Sequence, residues 1–135
     1  MISILVDTNV ILRLLLEDDV EMSVSATSLF ESAEAGEVSL NLDPLIVGEC
    51  CDVLQGRVYQ LKRKTIVSSL IPILVHNGVN CTHLLVVLDA LEMYVEQGLD
   101  FADAYLIALA RNGDYKIATF DKRMQNDDGL FHHLN

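Results

Sequence analysis

Four acids in this chain stand where a carboxylate needs a reason. Asp7 ends a short apolar run rich in β-branched residues, Ile2–Val6, and Asp121 follows a second such run, Lys116–Phe120. In open parallel sheets the ligand crevice lies beyond the carboxyl ends of the strands, so both acids are expected at that rim. Each also has an ordinary alternative as the N-cap of the next helix, worth about 1 kcal/mol. Glu49 falls in the stripe Ile46, Glu49, Cys50 and Val53, and Asp103 heads the stripe Asp103, Leu106, Ile107 and Ala110. Residues three and four apart share a helix face, so each stripe carries a carboxylate among apolar side chains. Such a placement is costly unless the charge is compensated. Glu49 can still pack its stem while its head reaches water. Asp103 can serve as a first-turn acid favoured by the helix dipole, with Asp100 as the cap.

Those alternatives require four separate explanations, whereas a divalent cation accounts for all four acids at once. Carboxylates gathered at short range raise one another's pKa unless a cation sits among them. An oxygen-only donor set suits Mg²⁺ or Mn²⁺ rather than zinc. One or two such ions activate water and stabilise the leaving oxygen of a phosphodiester displacement.

The elements that must carry these acids alternate between strand and helix. Ile2–Val6 reads as a strand, and Thr8-Asn9 offers cap chemistry for a helix over Val10–Leu16. A helix is expected over Met22–Ala35, closed by Gly36, and a strand where Val38, Leu40 and Leu42 alternate. Asp43-Pro44 supplies a cap and first helical residue, and Gly56 stops that helix. Further helices are expected over Lys62–Val75 (with Pro72 kinking or ending it), Thr82–Gln97 and Phe101–Asn112. A very short strand fits Val79–Cys81, Lys116–Phe120 reads as the last strand, and a short helix follows from Lys122. No repeat, low-complexity tract or linker interrupts the chain, so residues 1–135 are read as a single domain. The alternation predicts a three-layer α/β/α sandwich around a mostly parallel central sheet.

The segments ILVDTNVIL, LIVGECCDVL, DFADAYLIALA and IATFDKRM, in that order, resemble a PIN domain of the VapC-like ribonuclease toxin group. The resemblance runs over nearly the whole chain. It implies a PIN-like fold and a Mg²⁺- or Mn²⁺-dependent endoribonuclease, with Asp7, Glu49, Asp103 and Asp121 as the catalytic and metal-holding acids. The family's small polar residues map onto Asn9 and Thr119. Asp7, Asp103 and Asp121 would anchor metal, and Glu49 would help orient or deprotonate the attacking water. Asn9 would bond a ligand water or carboxylate, and Thr119 would steady Asp121. The resemblance also implies a protein antitoxin as partner and a homodimer.

Composition sets limits on that expectation. The chain has 20 acids against 9 bases, a formal net charge of −11, four Tyr, four Phe and no Trp. A broad basic nucleic-acid-binding face is therefore disfavoured, because phosphate neutralisation needs Lys and Arg. With four acids assigned to a metal, 16 still outnumber the nine bases, which favours a selective RNA substrate and a basic partner. Lys122 and Arg123, together with the segment Arg57, Lys62, Arg63 and Lys64, are the candidates for guiding RNA; their ordinary alternative is a solvated helix surface. His76, His83 and the pair His132-His133 show no metal-ligand spacing. Three cysteines, two of them adjacent, read as small buried hydrophobes in a reduced, cytoplasmic protein. The longest apolar run, Ala104–Ala110, is too short to span a membrane, and no secretory signal is expected.

Two other classes compete. One is a catalytically weak PIN-fold binding module whose acidic rim receives a basic partner segment. The other is a phospho-acceptor receiver, suggested by Asp7, Thr119 and Lys122. That reading lacks the acidic pair after the first strand and a middle-strand acceptor Asp.

Overall fold

Three strands, β1 (Ile2–Leu5), β2 (Val38–Leu42) and β3 (Val79–Cys81), pair in that order, and both pairings are parallel. In register, Ile2 lies opposite Val38 and Leu5 opposite Asn41, while Leu40 lies opposite Val79 and Leu42 opposite Cys81. The computed structural model describes residues 1–125 and 128–134. They fall into two compact units, Met1–His83 and Leu84–Asn135, and the architecture is α/β.

In the first unit each parallel step is made by a pair of helices. α1 (Thr8–Leu16) and α2 (Val20–Glu34) connect β1 to β2, and α3 (Pro44–Gln55) and α4 (Arg63–Leu74) connect β2 to β3. Parallel neighbours cannot be joined by a tight turn, so a crossover of this kind is obligatory. The helices start where the sequence offers caps. Asp7 accepts from the Thr8 amide, Asp19 from the Met22 amide and Asp43 from the Leu45 amide, the last with Pro44 at the first helical position. α2 ends at Glu34 with Ala35 as its C-cap, and Gly36 follows with φ 81°, a left-handed conformation that a side chain would strain. The core of this unit includes Leu40 and Leu42 of β2, which are buried, as are Phe30, Val47, Cys51 and Ile66 of the helices.

The buried face of α3 consists of Pro44, Val47, Cys50, Cys51 and Leu54. The stripe expected from sequence is thus rotated: Val53 is 40% exposed, and Glu49 is exposed rather than half-buried. Val47 and Leu54 complete a 3–4 pattern through Cys50 and Cys51, and that stronger pattern wins the core.

The second unit begins with α5 (Leu84–Glu96) and α6 (Phe101–Arg111), which pack against each other across a turn containing Gly98 at φ 68°. Val87, Ala90, Leu91 and Tyr94 from α5 are buried, as are Phe101, Ala104, Ile107 and Ala108 from α6. Asn112 Nδ2 donates to Asp89 Oδ2 at 3.2 Å and ties the end of α6 back to α5.

Lys116–Phe120 does not form the expected strand. Among the described residues it makes one isolated parallel bridge, between Ile117 and Phe131. Ile117 N–H donates to Leu130 O at 2.7 Å, and His132 N–H donates to Ile117 O at 2.8 Å. Only Ile117 of the five residues is buried, so the segment lacks the two-sided burial that holds a parallel strand. Of the short helix expected from Lys122, residues 122–124 form a turn and 126–127 lie outside the described residues; a 3₁₀ turn follows at Asp128–Leu130. Among the described residues no helix is long and apolar enough to cross a membrane.

Candidate active site

In the first unit, Asp7 and Glu49 are joined through Thr8. Parallel pairing puts the ends of β1 and β2 on one edge of the sheet, where Val6 N–H donates to Asn41 O at 3.0 Å. Asp7 follows at that edge with extended backbone (φ −86°, ψ 159°), and its Oδ1 accepts from the Thr8 amide at 2.8 Å. The Thr8 hydroxyl then donates to Glu49 Oε2 at 2.6 Å, across 41 residues of sequence. Both carboxylates also act on the same thiol. Burial first, then the charges of Glu49 and Asp7, together push the Cys50 thiol up to about 12. Thr8 was legible only as helix-cap chemistry, because its bond to Glu49 depends on how α1 and α3 pack.

Asp43 occupies the matching position after β2. Burial raises the Cys81 thiol to about 11, with Asp43 contributing. Asn9 is exposed in the first turn of α1 and lines a groove of about 570 Å³ between α1 and α2, with Val10, Arg13, Met22 and Leu29. At the groove's end, Arg13 Nη1 pairs with Asp18 Oδ1 at 2.5 Å, and the Tyr59 hydroxyl donates to Asp18 Oδ2 at 3.1 Å.

In the second unit, Asp100 and Asp121 both act on Asp103. Asp100 has the backbone of an N-cap for α6 but makes no side-chain cap bond, and Asp103 lies in the first turn, half-buried. Burial raises the Asp103 carboxyl above its ordinary range, and the charges of Asp100 and Asp121 add to the shift while Arg123 opposes it. Asp121 goes the other way. Side-chain bonds from Arg123, then the Arg123 amide, hold Asp121 below the usual carboxylate range. The guanidinium forms a fork: Nη2 donates to Oδ2 at 3.0 Å and Nε to Oδ1 at 3.2 Å. Thr119 steadies this acid through its backbone, its Oγ1 accepting from the Asp121 amide at 3.0 Å.

Arg123, expected to guide RNA, is therefore engaged with Asp121, whereas Lys122 is exposed. Lys62 is the N-cap residue of α4, and Arg63 and Lys64 open that helix, where the dipole does not favour cations. His76 is structural: its Nδ1 accepts from the Gly78 amide at 2.9 Å and its ring meets Phe30 edge-on at 5.6 Å.

Taken singly, Asp7 and Glu49 in the first unit and Asp103 and Asp121 in the second each offer carboxylate oxygens, the donor type a hard divalent cation takes. The crowding that raises Asp103 and the guanidinium forked onto Asp121 both show acids that favour a positive neighbour. Within neither unit do three His, Cys, Asp or Glu side chains of the described residues stand close enough to form a ligand cluster by themselves.

No curated protein and no solved structure matches the chain significantly. A family model does: the PIN domain model matches residues 4–129, a span that includes Asp7, Glu49, Asp103 and Asp121. A match over nearly the whole length, on an α/β chain with a parallel sheet and acids after β1 and on α3 and α6, establishes that this protein belongs to the PIN domain family.

Proposed function

We propose that this protein is a Mg²⁺- or Mn²⁺-dependent endoribonuclease that uses Asp7, Glu49, Asp103 and Asp121, and that it serves as the toxin of a toxin–antitoxin pair. PIN domains are generally metal-dependent nucleases, and the family match from residue 4 to 129 supports reading both units as one working domain. The observation that carries the proposal is the Asp7–Thr8–Glu49 link, which brings two carboxylates from separate elements to one edge of a parallel sheet.

When bound, the cation supplies an activated water and charge stabilisation for the departing oxygen. Asp7, Asp103 and Asp121 would hold it. Glu49, fixed by Thr8, orients the attacking water and takes its proton. Thr119 holds the backbone at Asp121, and Asn9 bonds a water or carboxylate of the site. A cytoplasmic location, a homodimer and a basic antitoxin segment complete this reading. One observation favours the alternative of a weakly catalytic binding module: Asp121 already accepts a guanidinium in a two-point fork, as it would from a basic partner.

The deciding experiment is cleavage of structured RNAs with Mg²⁺ or Mn²⁺ by the whole chain and by Asp7→Asn. Cleavage by the wild type that EDTA abolishes and Asp7→Asn lacks supports the proposal. Equal, EDTA-insensitive cleavage by both ends it. Arrested growth on induction, relieved by a co-expressed protein that purifies with the chain, tests the toxin role.

A further inference from the structure

The second unit contains a cavity of about 430 Å³ whose lining differs in chemistry from the rest of the chain. Phe120, Phe131, Lys122, Gln125, His132 and His133 contribute to it, and among the described residues none of its lining side chains is a carboxylate. In a chain with 20 acids and 9 bases, this hollow collects an ammonium and two of the four imidazoles.

Its aromatic lining is also unusual. Phe30 and Phe101 are 6% and 3% exposed, but Phe120 is 84% exposed, and it immediately precedes Asp121. The hollow is held in place by the backbone. The Ile117–Phe131 bridge sets the two segments side by side, Gln125 Nε2 donates to Thr119 O at 2.9 Å, and Lys116 Nζ donates to Gly129 O. A volume of this size lies within the range of small-ligand pockets. Aromatic faces next to cationic and N–H donor groups are what a nucleotide of a single strand requires: a stacking platform for the base and donors for the phosphate.

We propose that this cavity is a nucleotide subsite that takes one residue of single-stranded RNA, its base stacked on Phe120 and its phosphate met by Lys122, His132 and His133. The inference rests on the nuclease reading for its choice of RNA, and it deepens that reading by placing the strand beside Asp121. Every base has a face to stack, so the subsite contributes affinity and position rather than sequence readout.

The test uses the whole chain in EDTA with a short fluorescein-labelled single-stranded RNA of mixed sequence, followed by anisotropy. Phe120→Ala is expected to weaken binding about tenfold, and Phe120→Tyr, which keeps the stacking face, to stay within about twofold of the wild type. The double variant His132→Ala/His133→Ala is expected to weaken binding through lost N–H donors, and Lys122→Ala to weaken it and flatten its salt dependence. No binding by the wild type, or equal binding by Phe120→Ala, overturns the subsite. Displacement of the RNA by polyglutamate as readily as by unlabelled RNA would mark a surface for acidic proteins and overturn it as well. Cleavage measured in parallel with Mg²⁺ or Mn²⁺ separates the two proposals. Binding that depends on Phe120 without cleavage retains the subsite and defeats the nuclease. Cleavage with binding and rate indifferent to Phe120→Ala does the reverse.

Discussion

The Thr8 hydroxyl donates to Glu49 Oε2 at 2.6 Å, while the amide of the same residue donates to Asp7 Oδ1 at 2.8 Å. One threonine thus sets the orientation of two acids that belong to different helices. Hydrogen bonds to a carboxylate are stronger than neutral ones, and they fix which oxygen remains free for other work.

Thr8→Val removes the hydroxyl and keeps the size. We expect kcat/KM for RNA cleavage to fall about 10–100-fold, the usual effect of losing a group that orients a metal ligand. Thr8→Ser should restore most of it. Stability should change by only about 1 kcal/mol. A steady-state assay at several Mg²⁺ concentrations with a thermal melt beside it checks this, and unchanged kinetics in Thr8→Val would count against the link.

Asp7 caps α1, and the proposed mechanism gives it a second role that substitution can separate from the first. Asn caps a helix about as well as Asp, so Asp7→Asn should melt close to the wild type yet cleave at least about 100-fold more slowly. Asp7→Ala loses the cap as well and should be about 1 kcal/mol less stable. Circular dichroism melts and RNA cleavage on the same samples give the comparison. A large loss of stability in Asp7→Asn would contradict it.

Asp103 should cost the metal-free protein stability. Its carboxyl is raised by burial and by neighbouring acids, so the folded state binds a proton that the unfolded chain has released. The penalty is absent below the unfolded pKa, grows between the two values and is full above the folded one. Asp103→Asn should therefore raise the melting temperature at neutral pH, on the order of 2 °C, with no gain in strong acid. Melting curves over a pH series in EDTA test the sign.

Gly78 admits no side chain. A Cβ there would lie 2.4 Å from Ala33 Cβ and 2.7 Å from Ala33 O, where the start of β3 meets the end of α2. Gly78→Ala should destabilise by about 1–3 kcal/mol, the usual cost of overpacking. The shift in urea midpoint reads it directly.

Local signals carried most of the element boundaries. Asp43-Pro44, Gly36 and the alternation through Val38, Leu40 and Leu42 mark positions where the chain does start, stop and extend. The face of Glu49 was not legible, because two overlapping helical patterns pass through Cys50 and only packing selects between them. Lys116–Phe120 misled for a related reason. Its β-branched and aromatic content suits a strand, but a strand needs a partner along its length, and among the described residues the pairing is one bridge. The fork between Asp121 and Arg123 joins residues two apart, yet sequence spacing does not say whether a guanidinium turns toward its own acid or toward a phosphate.

The parallel register also dictates an order of events during synthesis. Ile2 has its strand partner only once Val38 has been made, and Leu40 only once Val79 has followed. Contacts so distant in sequence form late and slowly. Asp7 leaves the ribosome about 40 residues ahead of Glu49, so the link between them must await α3. A nascent or truncated chain that ends before α3 carries the first acid without the second, so the two carboxylates can share Thr8 only after β2 and α3 have been made.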